Sequence, residues 1–521
     1  MLSTLLVILL IVLVVALFTI YLLGHTKFRV VAQTPESVAV KQDTPLYQAS
    51  TALLDAPQQA EQLPTVFYPL GPPHKALLAR MQLMEQATDT LDIKYYMIHG
   101  DDTGHAFFGA MLSALKRGVK VRLIMDDIDT LKREPNFIRL VNDYDNLQVR
   151  IFNPLYLRNW REPEFLARFF RVTRRMHNKS FTADGIASVL GGRNIGNEYF
   201  NINTDAAFAD FDILFAGGVA ADVTEAFNNY WYRGTTFNIS QLGQPAADAS
   251  YQEWLQTLEE RYQSLRQQFV EDEQAEQVVQ QLLDQTLDVR QTDAQLIYDP
   301  SQKILSSPFG TEEGNMADQV TDLLESAEGD LMITSPYFIP SDSGLALLKR
   351  LNDKGVRVTV LTNSFSANDV SAVHAAYLTY RPKLLDMGVE LYELKVPDNE
   401  SNPDWTLLGS HRSSLHAKAF FMDNKRIFAG SFNLDPRSAV HNTEMGVIFD
   451  NKDFADYTVD ELRNYAEHNA YRVTRNQDGK LQWEETDGEG HVTLHTKEPR
   501  MSVKDYIFVR TISFLPVHWL L

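Results

Sequence analysis

The chain has no cysteine in 521 residues, which excludes disulfide staples, thiolate nucleophiles and cysteine-ligated metals. The compartment stays open, since a protein in an oxidising space also manages without cysteine. Nor is there an excess of positive charge. Lys and Arg number 48 against 68 Asp and Glu, a formal net charge of −20. That balance provides no general basic surface for a nucleic-acid backbone, so no nucleic-acid partner is expected. Charged side chains are missing altogether from Met1 to Leu23. The run is long enough to cross a bilayer as a helix, and it lacks the basic n-region and small-residue cleavage site of a signal peptide. An uncleaved transmembrane anchor is expected over residues 1–24. Lys27, Arg29 and Lys41 follow it and only the amino terminus precedes it, which by the positive-inside rule places the remaining mass in the cytoplasm.

A chain of this length carries two or three domains, and its 44% hydrophobic and 22% charged residues are those of a folded globular protein. Residues 25–64, rich in Gln, Pro, Thr and Ala from 33 onward, form a linker. An αβ pattern then begins. Helices at Ala76–Ala87 and Ala106–Arg117 lead into the apolar strands LDIKYYMI and VKVRLIMDD. The same series returns with helices at Ala317–Ala327 and Gly344–Leu351 leading into LMITSPYFI and GVRVTVLTN. Tyr96 and Tyr337 lie 241 residues apart, Gly118 and Gly355 237 apart. The chain is a duplication, with mixed or largely parallel sheets covered by helices on both faces. Residues 250–300 read as an exposed helical connector with one apolar face.

Chemistry gathers at two matched strings. His177, Lys179 and Asp184 are followed by Gly191-Gly192-Arg193-Asn194. His416, Lys418 and Asp423 are followed by Gly430-Ser431-Phe432-Asn433, each His, Lys, Asp and Asn displaced by 239 residues. A chance pair with identical spacing is rare. Residues i and i+2 of a strand face one side, so each His projects with its Lys into one pocket. The Gly-containing turn after the next strand aims the Asn at the same place. Two such units packed by pseudo-twofold symmetry surround one phosphodiester with two His, two Lys and two Asn. The Lys and Asn groups supply donors where charge builds in an in-line displacement. Paired ammonium groups can serve where other enzymes use a divalent ion, and no ligand cluster in the sequence calls for a metal or other cofactor.

This double His-x-Lys-x4-Asp pattern resembles the phospholipase D superfamily. The strings RRMHNKSFTADG, GGRNIGNEYF, LTNSFSANDVSAVHAAY, SLHAKAFFMD, GSFNLDPRS, NTEMG and LPVHWLL are similar to bacterial cardiolipin synthases of the C type. The similarity runs from about residue 65 to the end and is loose between 235 and 300. It implies an α/β fold of two duplicated αβαβα domains, preceded here by the transmembrane helix. It implies His177 as nucleophile, His416 as general acid and base, and Lys179, Lys418, Asn194 and Asn433 on the phosphoryl oxygens. Asp184 and Asp423 read as structural members of the catalytic motif. Asp210 and Glu444 match the carboxylates that orient the histidines, with Asp212 competing in the first half.

The division expected is anchor 1–24, linker 25–64, first domain 65–249, connector 250–300, second domain 301–475 and a C-terminal extension 476–521. The extension reads either as an interfacial segment or as a cap on the body, and the Arg- and Phe-rich stretch 158–175 either as a headgroup-binding patch or as a core helix. The resemblance implies a transferase of the bacterial inner membrane joining two glycerophospholipids. Phosphatidylglycerol is the acceptor, with phosphatidylglycerol or phosphatidylethanolamine as donor. A hydrolytic phospholipase D and a superfamily phosphodiesterase or nuclease would keep the same motifs.

Overall fold

The computed structural model describes residues 2–27, 33–34, 40–54, 63–204, 207–271, 277–307, 314–368, 370–396 and 414–513. The duplication is visible as two mixed sheets. In the first, seven strands run in the order Thr65–Leu70, Asp212–Gly217, Ala187–Gly191, Ser180–Ala183, Thr90–Tyr95, Lys120–Asp126, Leu147–Phe152. The second repeats it with Ala294–Tyr298, Met445–Asp450, Arg426–Gly430, Ala419–Met422, Asp330–Thr334, Arg357–Asn363, Glu390–Leu394. Only the last three strands of each series are parallel; the rest are antiparallel. The reason is local. The strand after each catalytic motif returns through a tight turn begun by Asp184 or Asp423, and a hairpin is antiparallel by construction.

The helices form where periodicity placed them, at Pro73–Gln86, Asp102–Lys116, Met316–Glu325 and Ser341–Asp353. Asp101 caps the second by accepting from Gly104 N at 2.9 Å, and Asn315 caps the third by accepting from Asp318 N at 3.1 Å. Gly118 (φ +92°) and Gly355 (φ +85°) turn their helices into the next strand in a conformation other residues resist. The connector helix Asp248–Glu271 buries Tyr251, Trp254, Leu258, Tyr262, Leu265 and Phe269, a three-to-four-residue stripe laid against helix Asp102–Lys116. Arg290–Thr292 then pairs with the first sheet and Ala294–Tyr298 with the second, so the connector stitches both.

The halves share one buried apolar cluster. Phe67, Phe211, Phe215 and Val219 from the first meet Phe421, Val447, Phe449 and Phe454 from the second, with Phe67 and Phe449 ring centres 4.8 Å apart. Burial of so many aromatic rings fixes the halves against each other.

The N-terminal segment is one helix, Leu2–Lys27, packed beside helix Glu162–Ala167. The side chains of 2–9 and 24–26 lie outside the description, and among the described residues no helix is long and apolar enough to cross a membrane. The structure does not confirm the span expected there. At the other end, Glu498 binds Arg381 (2.9 and 3.0 Å) and His374 (2.7 Å), fastening the extension to helix Ser371–Asp386. The following helix Val503–Ser513 exposes Val503, Ile507 and Phe508, while residues 514–521, the last eight of the extension, lie outside the described residues.

Candidate active site

Each motif histidine is built into a seam between the halves. Met176 bridges Thr443, and Ser414–Leu415 pairs in parallel with Phe208–Ala209. His177 N donates to Thr443 O at 2.9 Å, and His416 N to Ala209 O at 2.7 Å. The residue after each acceptor is an acid, so the seam delivers a carboxylate to each ring from the opposite half. His177 Nδ1 lies 3.0 Å from both Glu444 oxygens, and His416 Nδ1 lies 2.6 Å from Asp210 Oδ2. Both acids are fully buried. With Nδ1–H donated to a carboxylate, Nε2 of each ring presents its lone pair to the pocket.

Asp212, the rival to Asp210, is taken by Arg80 (2.8 Å) and Arg193 (3.3 Å). Gly192 is required beside Asp210: an added Cβ would stand 2.3 Å from its Oδ1. At the matching position Ser431 instead donates its hydroxyl to Glu444, and Ser438 Oγ adds a second bond at 3.1 Å. Burial pushes the Glu444 carboxyl up, and His177, Lys179 and Ser431 more than offset this, leaving it below the usual range. Asp210 is held low against its burial by His416 and Lys418.

Burial drives the His177 imidazole down to about 4, with Lys179 and Lys418 adding to the effect and Glu444 opposing it. His416 is lowered for the same reasons, with Lys418 and Lys179 opposed by Asp210. Each ring thus feels both lysines, and the two motifs form one site. Lys179 and Lys418 are buried and donate to the carbonyls of His177 and His416. Burial lowers Lys179 to about 7. Asn194 accepts from Met97 N at 3.3 Å and donates to Tyr199 OH at 2.8 Å, while Asn433 Oδ1 is buried without a hydrogen-bond partner among the described residues. The Tyr96 ring lies 5.2 Å from His177, and Tyr199 and Phe208 lie 5.3 and 5.2 Å from His416.

The two motif aspartates do not join the cluster. Asp184 accepts from the N–H groups of Thr88, Asp89 and Thr90, and Asp423 from those of Glu328, Gly329 and Asp330, all within 3.3 Å. Both sit at left-handed φ (+49° and +53°) and cap the loop that begins the central strand. Asp184 is buried and Asp423 exposed, so their loss should differ. Asp184→Ala is expected to cost about 3 kcal/mol and Asp423→Ala about 1, because unmet N–H groups are solvated only in the second case. Chemical denaturation checks this, with Asp184→Asn as the milder control.

A family model described as "Cardiolipin synthase, PLD-like domain" matches residues 81–231 and 320–466, one match on each sheet. The chain belongs to this family. Cardiolipin synthase C of Escherichia coli K12 is 35% identical over 460 residues, covering 87% of this chain and 96% of that one. An uncharacterized protein of Helicobacter pylori J99 is 33% identical over 428 residues, 81% of this chain and 82% of its own. Among solved structures, phosphatidylserine synthase of Haemophilus influenzae Rd KW20 superposes with a TM-score of 0.57 at 12% identity, covering 91% of this chain and all of that one. At that identity the likeness concerns the fold.

Of the two readings of 158–175, headgroup-binding patch and core helix, the first is the one its arginines do not fit. The arginines of 158–175 are not a free headgroup patch. Arg158 binds Asp127 (2.6 Å) and Glu134, Arg168 binds Glu164, Arg175 binds Asp126 (3.0 Å), and Arg174 donates to the carbonyls of Ile304 and Ser306. Buried cations need partners; distant acids supply them for Arg158 and Arg175, the neighbouring Glu164 for Arg168 and main-chain carbonyls for Arg174. The segment exposes Asn159 and Glu162 together with three apolar side chains, Trp160, Leu166 and Phe170, which are 69%, 73% and 45% exposed. Sequence reading also passed over His99, Asp101 and Glu198, whose ligand-type atoms lie within 4.8 Å of one another. Their principal bonds are to each other and to the Asn197 and Gly104 amides.

Proposed function

We propose that the protein is a cardiolipin synthase that transfers a phosphatidyl group to phosphatidylglycerol through a phosphohistidine. The observation that carries this is the crossed pairing of each histidine with the other repeat's carboxylate, in a chain of the cardiolipin synthase family. In the first step His177 Nε2 attacks phosphorus, the bond to the leaving alcohol breaks, and His416 gives that oxygen a proton. In the second, His416 takes the proton of the incoming lipid hydroxyl, its oxygen attacks phosphorus, and the P–N bond breaks. Lys179, Lys418, Asn194 and Asn433 hold the nonbridging oxygens.

The asymmetry between the halves supports these roles. Glu444 shares its charge with two serine hydroxyls and holds His177 at 3.0 Å; Asp210 has no serine and holds His416 at 2.6 Å. The more tightly paired ring keeps a proton better and suits the acid, and the arriving phosphodiester anion favours its charged form. Both rings are depressed, and His177, the less tightly paired of the two, stays neutral and suits the nucleophile. Tyr96, Tyr199 and Phe208 flank the rings and keep water from the waiting phosphohistidine.

The domain division read from the sequence and attachment through Leu2–Lys27 to the bacterial inner membrane, with the catalytic body cytoplasmic, belong to the same proposal. What supports the attachment is the uncharged run from Met1 to Leu23. Phosphatidylglycerol or phosphatidylethanolamine is the donor.

The pH dependence follows from the site. A lysine lowered to about 7 is charged below that pH, and a histidine lowered to about 4 is neutral above it. On a short-chain substrate, kcat/KM is expected to fall below about pH 4 as His177 takes up a proton, and to fall on the alkaline side first as His416, itself lowered by burial, loses its proton and then above about pH 7 as Lys179 does. The alkaline limb of kcat should lie higher, because the bound anion favours charged Lys179. An alkaline limb near the ordinary lysine value in kcat/KM would contradict the burial of Lys179. The function itself is tested by extracting lipid from cells with and without the protein. Cardiolipin should rise with it; a rise in phosphatidic acid alone would replace the synthase with a hydrolase.

A further inference from the structure

Glu444 is held from behind by a buried ion pair where the connector joins the second domain. Asp299 Oδ2 lies 2.8 Å from Lys303 Nζ, with both side chains buried. The same oxygen accepts from Glu444 N at 3.0 Å, and Asp299 N donates to Glu444 O at 2.9 Å, so one residue grips the main chain on both sides of the acid. Lys303 Nζ donates to Ser438 O at 2.9 Å, fixing the serine whose hydroxyl reaches Glu444. On the first half's side, Tyr230 OH donates to Asp299 O at 2.7 Å and accepts from Asn178 Nδ2 at 2.6 Å, next to His177. Both members of the His177–Glu444 pair are therefore located by Asp299.

The other half solves the same problem differently. The residue after its equivalent edge strand is Gly71, and Arg193 donates to the carbonyls of both Gly71 and Asp210. The second half has Phe432 at the position of Arg193, so the cation and the grip must come from elsewhere. Asp299 and Lys303 supply them. We infer that the Asp299–Lys303 pair is a positioning element for phosphohistidine formation, holding Glu444 where it keeps His177 Nε2 aimed at phosphorus. This rests on the reading of His177 as nucleophile.

The experiment compares Asp299→Ala, Asp299→Asn and Lys303→Met in the full chain, by quenched single turnover on phosphatidylglycerol labelled in the phosphatidyl phosphate. Asp299→Ala should slow phosphoenzyme formation about 30-fold or more with KM changed less than about threefold, since the lost contacts touch no substrate. Asp299→Asn keeps an acceptor for Glu444 N and should recover most of the rate, which a bulk folding defect would not allow. Lys303→Met should slow the same step about tenfold. Undiminished phosphoenzyme formation in folded Asp299→Ala or Lys303→Met overturns the inference, as does a KM rise that accounts for the loss. Failure of both to fold makes the pair a folding element and overturns it too. Absence of label on the unsubstituted protein would instead sink the nucleophile reading.

Discussion

His177→Ala is expected to lose turnover by at least about 10³-fold and to trap no phosphoenzyme, whereas His416→Ala loses turnover as deeply yet still accumulates label. The difference arises because only one ring forms the bond to phosphorus. The other moves protons, and a donor with a good leaving group can pass the first step without it. Denaturant-quenched label that survives base and is lost in acid, on the His416→Ala protein, is the measurement. Label on the His177→Ala protein would exchange the two roles. The two buried environments are alike: both imidazoles are lowered by burial and by the same two lysines. What separates them is the serine pair on Glu444 and the shorter bond to Asp210.

The second large effect should come from the carboxylates. Glu444→Gln and Asp210→Asn keep shape and lose charge. By the behaviour of an imidazole robbed of its carboxylate, each is expected to lower kcat by about 10²- to 10⁴-fold with the protein still folded. The crossing sharpens the test. Glu444→Gln should slow formation of the phosphoenzyme, because its partner is His177; Asp210→Asn should slow breakdown by the acceptor as well, because its partner is His416. Same-half coupling, with Asp210→Asn disturbing only phosphoenzyme formation, would contradict the geometry.

The sequence made local spacing legible and left long-range partners hidden. The repeat shows as a near-constant offset of about 239 residues, and the His and Lys on one strand face follow from an interval of two. The mixed sheets, with only three parallel strands in each series, follow from the turns at Asp184 and Asp423 that the structure shows. The crossing of Glu444 to His177 spans 267 residues and that of Asp210 to His416 spans 206, and no local interval encodes it. It arises because the halves pack through Phe67, Phe215, Phe449 and Phe454. The arginines of 158–175 were misleading for the same reason. Their acids, Asp126, Asp127 and Glu134, lie on a neighbouring strand end and helix that only the sheet brings close. Asp299 gave no signal at all, since its importance is a set of backbone contacts rather than a motif.

The most direct measurement is product partition on vesicles of phosphatidylglycerol, with and without phosphatidylethanolamine. The phosphohistidine must choose a lipid hydroxyl over far more abundant water, which only a shielded interfacial site achieves. Cardiolipin should form with one glycerol released for each molecule, and phosphatidic acid should remain minor. Ethanolamine released in step with cardiolipin would identify the second donor. Phosphatidic acid as the main product in every lipid mixture would contradict the account and leave a hydrolase built on the same crossed histidines.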